Sequence, residues 1–121
     1  MSFELDLSRF GDRAADEIDK ACRKITLETF RGVILKTPVD TGRARGAWGI
    51  GADPADRLDP SGGAAVADVV QALRPGVFRN GGEMVLSNNL PYIGRLEYGY
   101  SQQAPGGMVR LTLTEIVSKY R

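Results

Sequence analysis

The stretch SRFGDRAADEIDKACRKITLETFRGVILK, residues 8–36, decides the fold class. Within it Phe10, Ala14, Ile18, Cys22, Ile25, Thr29 and Val33 recur at steps of three and four, the spacing that keeps side chains on one helix face. The pattern predicts one long amphipathic helix. Its early turns carry Asp12, Asp16, Glu17 and Asp19 and its later turns Lys24, Arg31 and Lys36, a polarity that complements the helix macrodipole. Asp16 with Lys20, and Asp19 with Arg23, add acid-before-base pairs at i,i+4. Ser8 is the expected N-cap, and Pro38 stops the helix because it lacks an N–H and forces Thr37 out of the α region.

A further apolar row, Leu27, Phe30 and Ile34, lies on a face not shared with Ile18 and Ile25, so no single-sided contact covers both. Either this end of the helix is wrapped by the rest of the domain, or the row packs on a neighbouring subunit, as in a ring of repeated contacts. Gly32 weakens the same turn and admits a close neighbour.

Outward from this helix the text changes character. Val39-Asp40-Thr41-Gly42 reads as a turn, and Ala47-Trp48-Gly49-Ile50-Gly51 as a short strand with Trp48 as a core anchor. Residues 52–63 hold Asp53-Pro54, Asp59-Pro60 and Ser61-Gly62-Gly63, a long loop expected to be mobile or to order on assembly. Ala64 to Leu73 has helical spacing and ends before Pro75-Gly76. Glu83 to Ser87 is a candidate strand, with Val77-Phe78 as its hairpin partner or as a loop anchor. Leu90 to Tyr98 reads as a short helix with Pro91 in its first turn, capped by Asn88 and Asn89. Met108 to Lys119 starts with strand-like alternation and ends with helical spacing; a helix beginning near Gly106 is favoured. The expected class is therefore α+β: a long N-terminal helix packed on a small antiparallel β-sheet, one or two shorter helices and a C-terminal helix.

The 121 residues suit one domain with a real core. Sixteen Lys and Arg against fifteen Asp and Glu leave a net charge of +1, too little excess for a dedicated nucleic-acid binder. The chain has no histidine and only one cysteine, Cys22, which removes the usual proton shuttle, thiolate zinc sites and any intramolecular disulfide. No long apolar span or secretory leader is legible, so a soluble, reducing compartment and no membrane association are expected. No cofactor or metal is expected, and an enzyme is disfavoured from the start.

Thr37-Pro38-Val39-Asp40-Thr41-Gly42-Arg43-Ala44-Arg45-Gly46-Ala47-Trp48 resembles the Pro-Val-Asp-Thr-Gly-x-x-x-x-x-Trp segment of the tail-completion family of siphophages. Ser87-Asn88-Asn89-Leu90-Pro91-Tyr92, Arg95-Leu96-Glu97-Tyr98-Gly99 and Ser101-Gln102-Gln103-Ala104-Pro105-Gly106-Gly107-Met108 resemble that family's Asn-Asn-x-Pro-Tyr, Leu-Glu-x-Gly and Gln-Ala-Pro-x-Gly-Met segments, in order. Single pieces such as Asp-Thr-Gly are common; the ordered combination is specific. The resemblance implies a non-enzymatic virion protein of the neck, assembled in a host cytoplasm, that finishes the head-proximal end of the tail so that it can join a filled head. Its implied partners are the tail terminator, the tail tube and head-completion or connector proteins, and a homo-oligomeric ring is the expected assembly. The same setting leaves open a tail terminator or a head–tail connector subunit. DNA would be met only in the channel, through Arg43, Arg45, Arg74 and Arg79, and such contact would weaken steeply with salt.

Assembly contacts are expected at Leu27, Phe30, Ile34, Arg43, Arg45, Asn89, Glu97, Gln102, Gln103 and Met108, and at Tyr92, Tyr98 and Tyr100. The tyrosines serve a core and an interface equally well. Glu97 can pair with Arg43 or Arg45 across the fold, an interaction contributing only about 0–1 kcal/mol if exposed. The rival from another class is a retroviral-type aspartic protease, since Asp40-Thr41-Gly42 is the active-site tripeptide of such enzymes. That chemistry needs two carboxylates sharing a proton on strand-flanked loops. Here a long helix leads into the tripeptide, and the cation Arg43 follows it.

Overall fold

In the computed structural model, residues 3–39, 41–51, 54–79, 81–98 and 106–121 are described. Helix α1 runs over Phe3–Lys36, and the predicted stop at Pro38 holds. Its start lies upstream of Ser8, which is thus inside the helix rather than at its N-cap. A single helical turn, α2 (Arg43–Gly46), leads into strand β1 (Gly49–Ile50). Helix α3 spans Gly63–Ala72, strand β2 is Leu86–Ser87, α4 is Ile93–Glu97 and α5 is Met108–Lys119. The class is α+β, and the ambiguous last element is a helix beginning next to Gly106, as its second half indicates.

The sheet is antiparallel, with Gly49 opposite Ser87 and Ile50 opposite Leu86. One more rung follows, from Gly51 N–H to the Val85 carbonyl at 2.8 Å. The partner of β2 is therefore β1, not Val77-Phe78, which lies in a run of turns. Helix α1 packs chiefly against α5 and α3, and β1 rests on α3. Val33, Ile34, Trp48, Ala65, Val69, Leu73 and Met108 form the buried cluster between them. Among the side chains of α1 that are described, those of its second half contribute to this cluster, which accounts for the second apolar row there.

Polar side chains of α1 hold the segments that come later in the chain. Asp19, 2% exposed, accepts hydrogen bonds from Gly76 N–H (2.8 Å) and Phe78 N–H (2.7 Å) and from Arg23 Nε (2.9 Å). The predicted Asp19–Arg23 pair thus forms, and the same carboxylate anchors the turn after α3. Asp16 pairs with Arg79 at 3.3 Å instead of with Lys20, and Asp12 meets Arg79 at 2.9 Å. Glu28 takes Lys119 Nζ and Tyr120 Oη, each at 2.9 Å, and fixes the end of α5.

Burial raises the Asp19 pKa, but the Gly76 and Phe78 N–H groups and Arg23 outweigh it and hold the carboxyl below its ordinary 3.8. A carboxyl that ionises at lower pH folded than unfolded stabilises the fold above about pH 4, and the contribution is lost as pH falls through the depressed value. Asp19→Asn is expected to lower the melting temperature at neutral pH and to shrink the loss seen on acidification. Thermal melts of both proteins from pH 7 down to 3 check this.

Candidate functional site

The two blocks of sequence that carry the family resemblance meet at the corner after α1. Thr37 is fully buried; its Oγ1 donates to the Val33 carbonyl at 2.8 Å and accepts the Trp48 indole N–H at 2.8 Å. The last carbonyls of α1 have no helical partner, and Arg45 supplies one. Its guanidinium reaches the carbonyls of Leu35 (2.9 Å), Thr37 (2.9 Å) and Pro60 (2.9 Å), so a cation caps the negative end of the helix. Gly42 takes φ 88° at the start of α2, with the Pro60 ring packed where a Cβ would stand. A glycine is required there by both conformation and space.

The second block docks on this corner. Asn88 Nδ2 donates to the Ala44 carbonyl at 2.9 Å, and its Oδ1 accepts Leu90 N–H at 3.1 Å. Asn88 therefore ties the block to α2 and turns its own backbone instead of capping the following helix, whose N-cap position is Tyr92 without a side-chain cap. Glu97, later in the same block, serves α5 instead. Its carboxylate accepts Val109 N–H at 3.0 Å and Arg110 N–H at 2.9 Å, capping α5, and it meets Arg110 Nε at 3.5 Å. The expected pairing with Arg43 or Arg45 does not occur, because Arg45 is spent on carbonyls and Glu97 on the α5 N-terminus, where an anion is favoured.

Of the expected contact residues, Ile34 and Met108 are corrected to core: they are 0% and 1% exposed and cannot reach a neighbour. Leu27 and Phe30 are half-buried against that core. Leu27 also lines an open groove of about 540 Å³ between α1 and α3, together with Lys20, Lys24, Val70 and Leu73. Arg43 and Asn89 are exposed, Tyr92 is 39% exposed and Tyr98 70%, with the Arg110 guanidinium 5.1 Å from the Tyr98 ring centre. Tyr100, Gln102, Gln103 and Asp40 lie outside the described residues.

The loop expected to be mobile is tied down over its second half. Buried Asp59 accepts Ala64 N–H (2.9 Å), Ala65 N–H (3.2 Å) and the Ser61 hydroxyl (3.1 Å), and its own N–H bonds the Gly42 carbonyl at 3.0 Å. Burial raises its pKa, but the Ala65, Ser61 and Ala64 donors and the nearby Arg57 outweigh this and the net shift is downward. Arg57 bridges Asp68 at 2.7 Å and the Trp48 carbonyl at 3.3 Å. The sequence pointed to Asp19, Thr37 and Asp59 but not to their roles as buried hydrogen-bonding anchors. Asp59 caps α3 from upstream of the N-cap Gly62, a position no helix-start pattern covers.

Among the described residues no cluster of three His, Cys, Asp or Glu stands within reach of a common metal ion, and no helix is long and apolar enough to cross a membrane. The corner is a structural junction of paired donors and acceptors; Arg43 and Asn89, beside it in the chain, are exposed, and so are Tyr92 and Tyr98 farther along the second block. No family model matches the chain, and neither the curated proteins nor the solved structures contain a match to it.

Proposed function

We propose that this chain is a structural, non-catalytic subunit of a tailed-phage particle that completes the head-proximal end of the tail and supports head–tail joining. The observation that carries the reading is the ordered set of segments from Thr37 to Trp48, Ser87 to Tyr92, Leu96-Glu97 and Gly107-Met108. Support comes from what these residues do in the fold. Thr37, Gly42, Trp48 and Asn88 each have a specific packing or hydrogen-bonding role around the corner after α1, and Glu97 and Gly107 fit together at the start of α5, as parts of a single scaffold would. Exposed Arg43, Tyr92 and Tyr98 in the two blocks have the flat, amphipathic character that suits contact with neck and tail neighbours. Thr41 and Gly42 are flanked by helices α1 and α2, which disfavours the strand-framed carboxylate dyad of an aspartic protease.

Cryo-electron microscopy of intact particles carrying this chain is the direct test. Density forming a collar or ring at the head–tail junction is the expected result, and its neighbours there separate completion protein from terminator and connector. Absence of the chain from mature particles overturns the proposal, and a peptidase activity abolished by Asp40→Asn would replace it.

A further inference from the structure

Lys20, Lys24, Leu27 and Arg31 follow at steps of four, three and four, so they form one straight row along α1. The row runs in a groove. Toward the N-terminus its other wall is α3, with Val70 and Leu73; farther on it is α5, with Ile116 and Lys119. Leu27 lines both parts, of about 540 and 450 Å³, so the two meet at that residue. The floor is apolar: Leu27 is half-buried and Leu73 buried, while Val70 stays 53% exposed although Val66 and Val69 of the same helix pack inward.

The charges along the groove are unbalanced. Glu28 is taken by Lys119 and Tyr120, and Glu115 by Lys36. Arg23 is held by Asp19, and Asp16 by Arg79. Among the described residues no carboxylate stands within ion-pair distance of exposed Lys20, Lys24 or Arg31, and Lys24 acts on Glu28 only through space. Glu17, at the N-terminal end, is the acid that lacks an ion pair, so three free cations face one free carboxylate.

We infer that this groove docks an acidic amphipathic helix of a partner protein. Lys20 and Lys24 stand one turn apart and Arg31 two turns farther, so a helix lying along α1 meets them with carboxylates at the same spacings. A large apolar side chain between those carboxylates comes down on Leu27, Val70 and Leu73 and covers the surface the fold leaves open. The same floor argues against a polyphosphate, beneath which it would stay wet, and a chain of net charge +1 lacks the basic excess that nucleic acid recruits. From Lys20 to Arg31 the row is about 17 Å long at 1.5 Å per residue, room for roughly three turns of a docked helix. Apolar burial over so short a contact is modest, so the cations contribute visibly to affinity, which falls as salt screens them. The docking is a property of the isolated chain and stands independently of the virion role.

Isothermal titration calorimetry of the purified protein at low salt tests it, with an end-capped, alanine-based helical peptide that carries Glu, Glu, Leu and Glu at the spacing of the row. A second peptide has Gln in place of each Glu. The Glu peptide is expected to bind in the micromolar range, and the Gln peptide at least about ten-fold more weakly. The variant K20Q/K24Q/R31Q loses the preference for the Glu peptide, Val70→Asn weakens both peptides, and Glu17→Gln tightens the Glu peptide alone. All five side chains are exposed, so melting of each variant followed by circular dichroism stays near that of the parent. No binding of the Glu peptide, equal binding of the two peptides, or a preference that survives the triple variant overturns the inference. So does binding indifferent to Val70→Asn with a single-stranded oligonucleotide held as tightly, which would assign the row to nucleic acid.

Discussion

Trp48→Ala is expected to remove about 3–5 kcal/mol of folding free energy and to lower the melting temperature by about 10–20 °C. The indole is only 7% exposed and belongs to the buried cluster with Ile34, Val69 and Met108, so truncation leaves a cavity that α1, α3 and α5 would all have to close. It also removes the N–H that Thr37 Oγ1 accepts at 2.8 Å at the very end of α1. Trp48→Phe separates the two contributions. Keeping an apolar ring while losing the N–H is expected to cost about 1 kcal/mol for the hydrogen bond, plus whatever the smaller ring leaves unfilled. Thermal and urea melts measure both variants. A Trp48→Ala protein that melts like the parent yet fails to join tails would move this residue from the core to an interface.

Gly107→Ala is expected to cost roughly 2–6 kcal/mol, combining backbone strain with overpacking. Gly107 holds φ 80° and ψ 154°, a conformation that side chains with a Cβ essentially do not adopt. An added Cβ would also collide with the Glu97 carbonyl oxygen and stand 2.5 Å from its carboxylate. The substitution therefore pushes away the group that caps α5. Its effect should extend beyond one residue: amide hydrogen exchange at Val109 and Arg110 is expected to quicken in the folded protein. Glu97→Ala should reproduce that faster exchange with a smaller loss of stability, since it removes the cap without straining the backbone. Slow exchange at Val109 and Arg110 in both variants would show that the cap contributes little.

The helices were legible in the sequence because each carries its own local pattern. Residues 8–36 have the period of a helix and Pro38 stops them; Ala64 to Leu73 is helical text ended by Pro75-Gly76. The start of α1 was not, because Ser8 has the chemistry of a cap while the residues before it also tolerate a helix. The pairing of β1 with β2 escaped because it joins residues far apart in sequence, and neither two-residue strand is long enough to show alternation. The site was half legible. Motif residues such as Gly42, Trp48 and Asn88 stand where the two blocks meet, but the sequence could not say that Ile34 and Met108 face inward or that Arg45 turns back on helix carbonyls. Such assignments depend on which segments become neighbours in three dimensions. The charged groups show this most plainly: Asp19 looked like half of a surface pair, and it is also the buried acceptor for a turn nearly sixty residues downstream.

That last arrangement bears on how the molecule is made. The carboxylates of α1 bind partners 57 to 92 positions later in the chain, at Gly76, Phe78, Arg79, Lys119 and Tyr120. During synthesis α1 leaves the ribosome before these partners, with its apolar rows bare and its buried acid unsatisfied, and an isolated helix in water is marginal. The groups that complete it arrive only after roughly another ninety residues, a wait of about 5–20 s at ordinary elongation rates. Folding therefore cannot finish until these distant pairings form, and closing them is slower than forming contacts between neighbouring segments. Through that interval the nascent α1 is the segment most in need of shelter, and it is where a chaperone would be expected to bind.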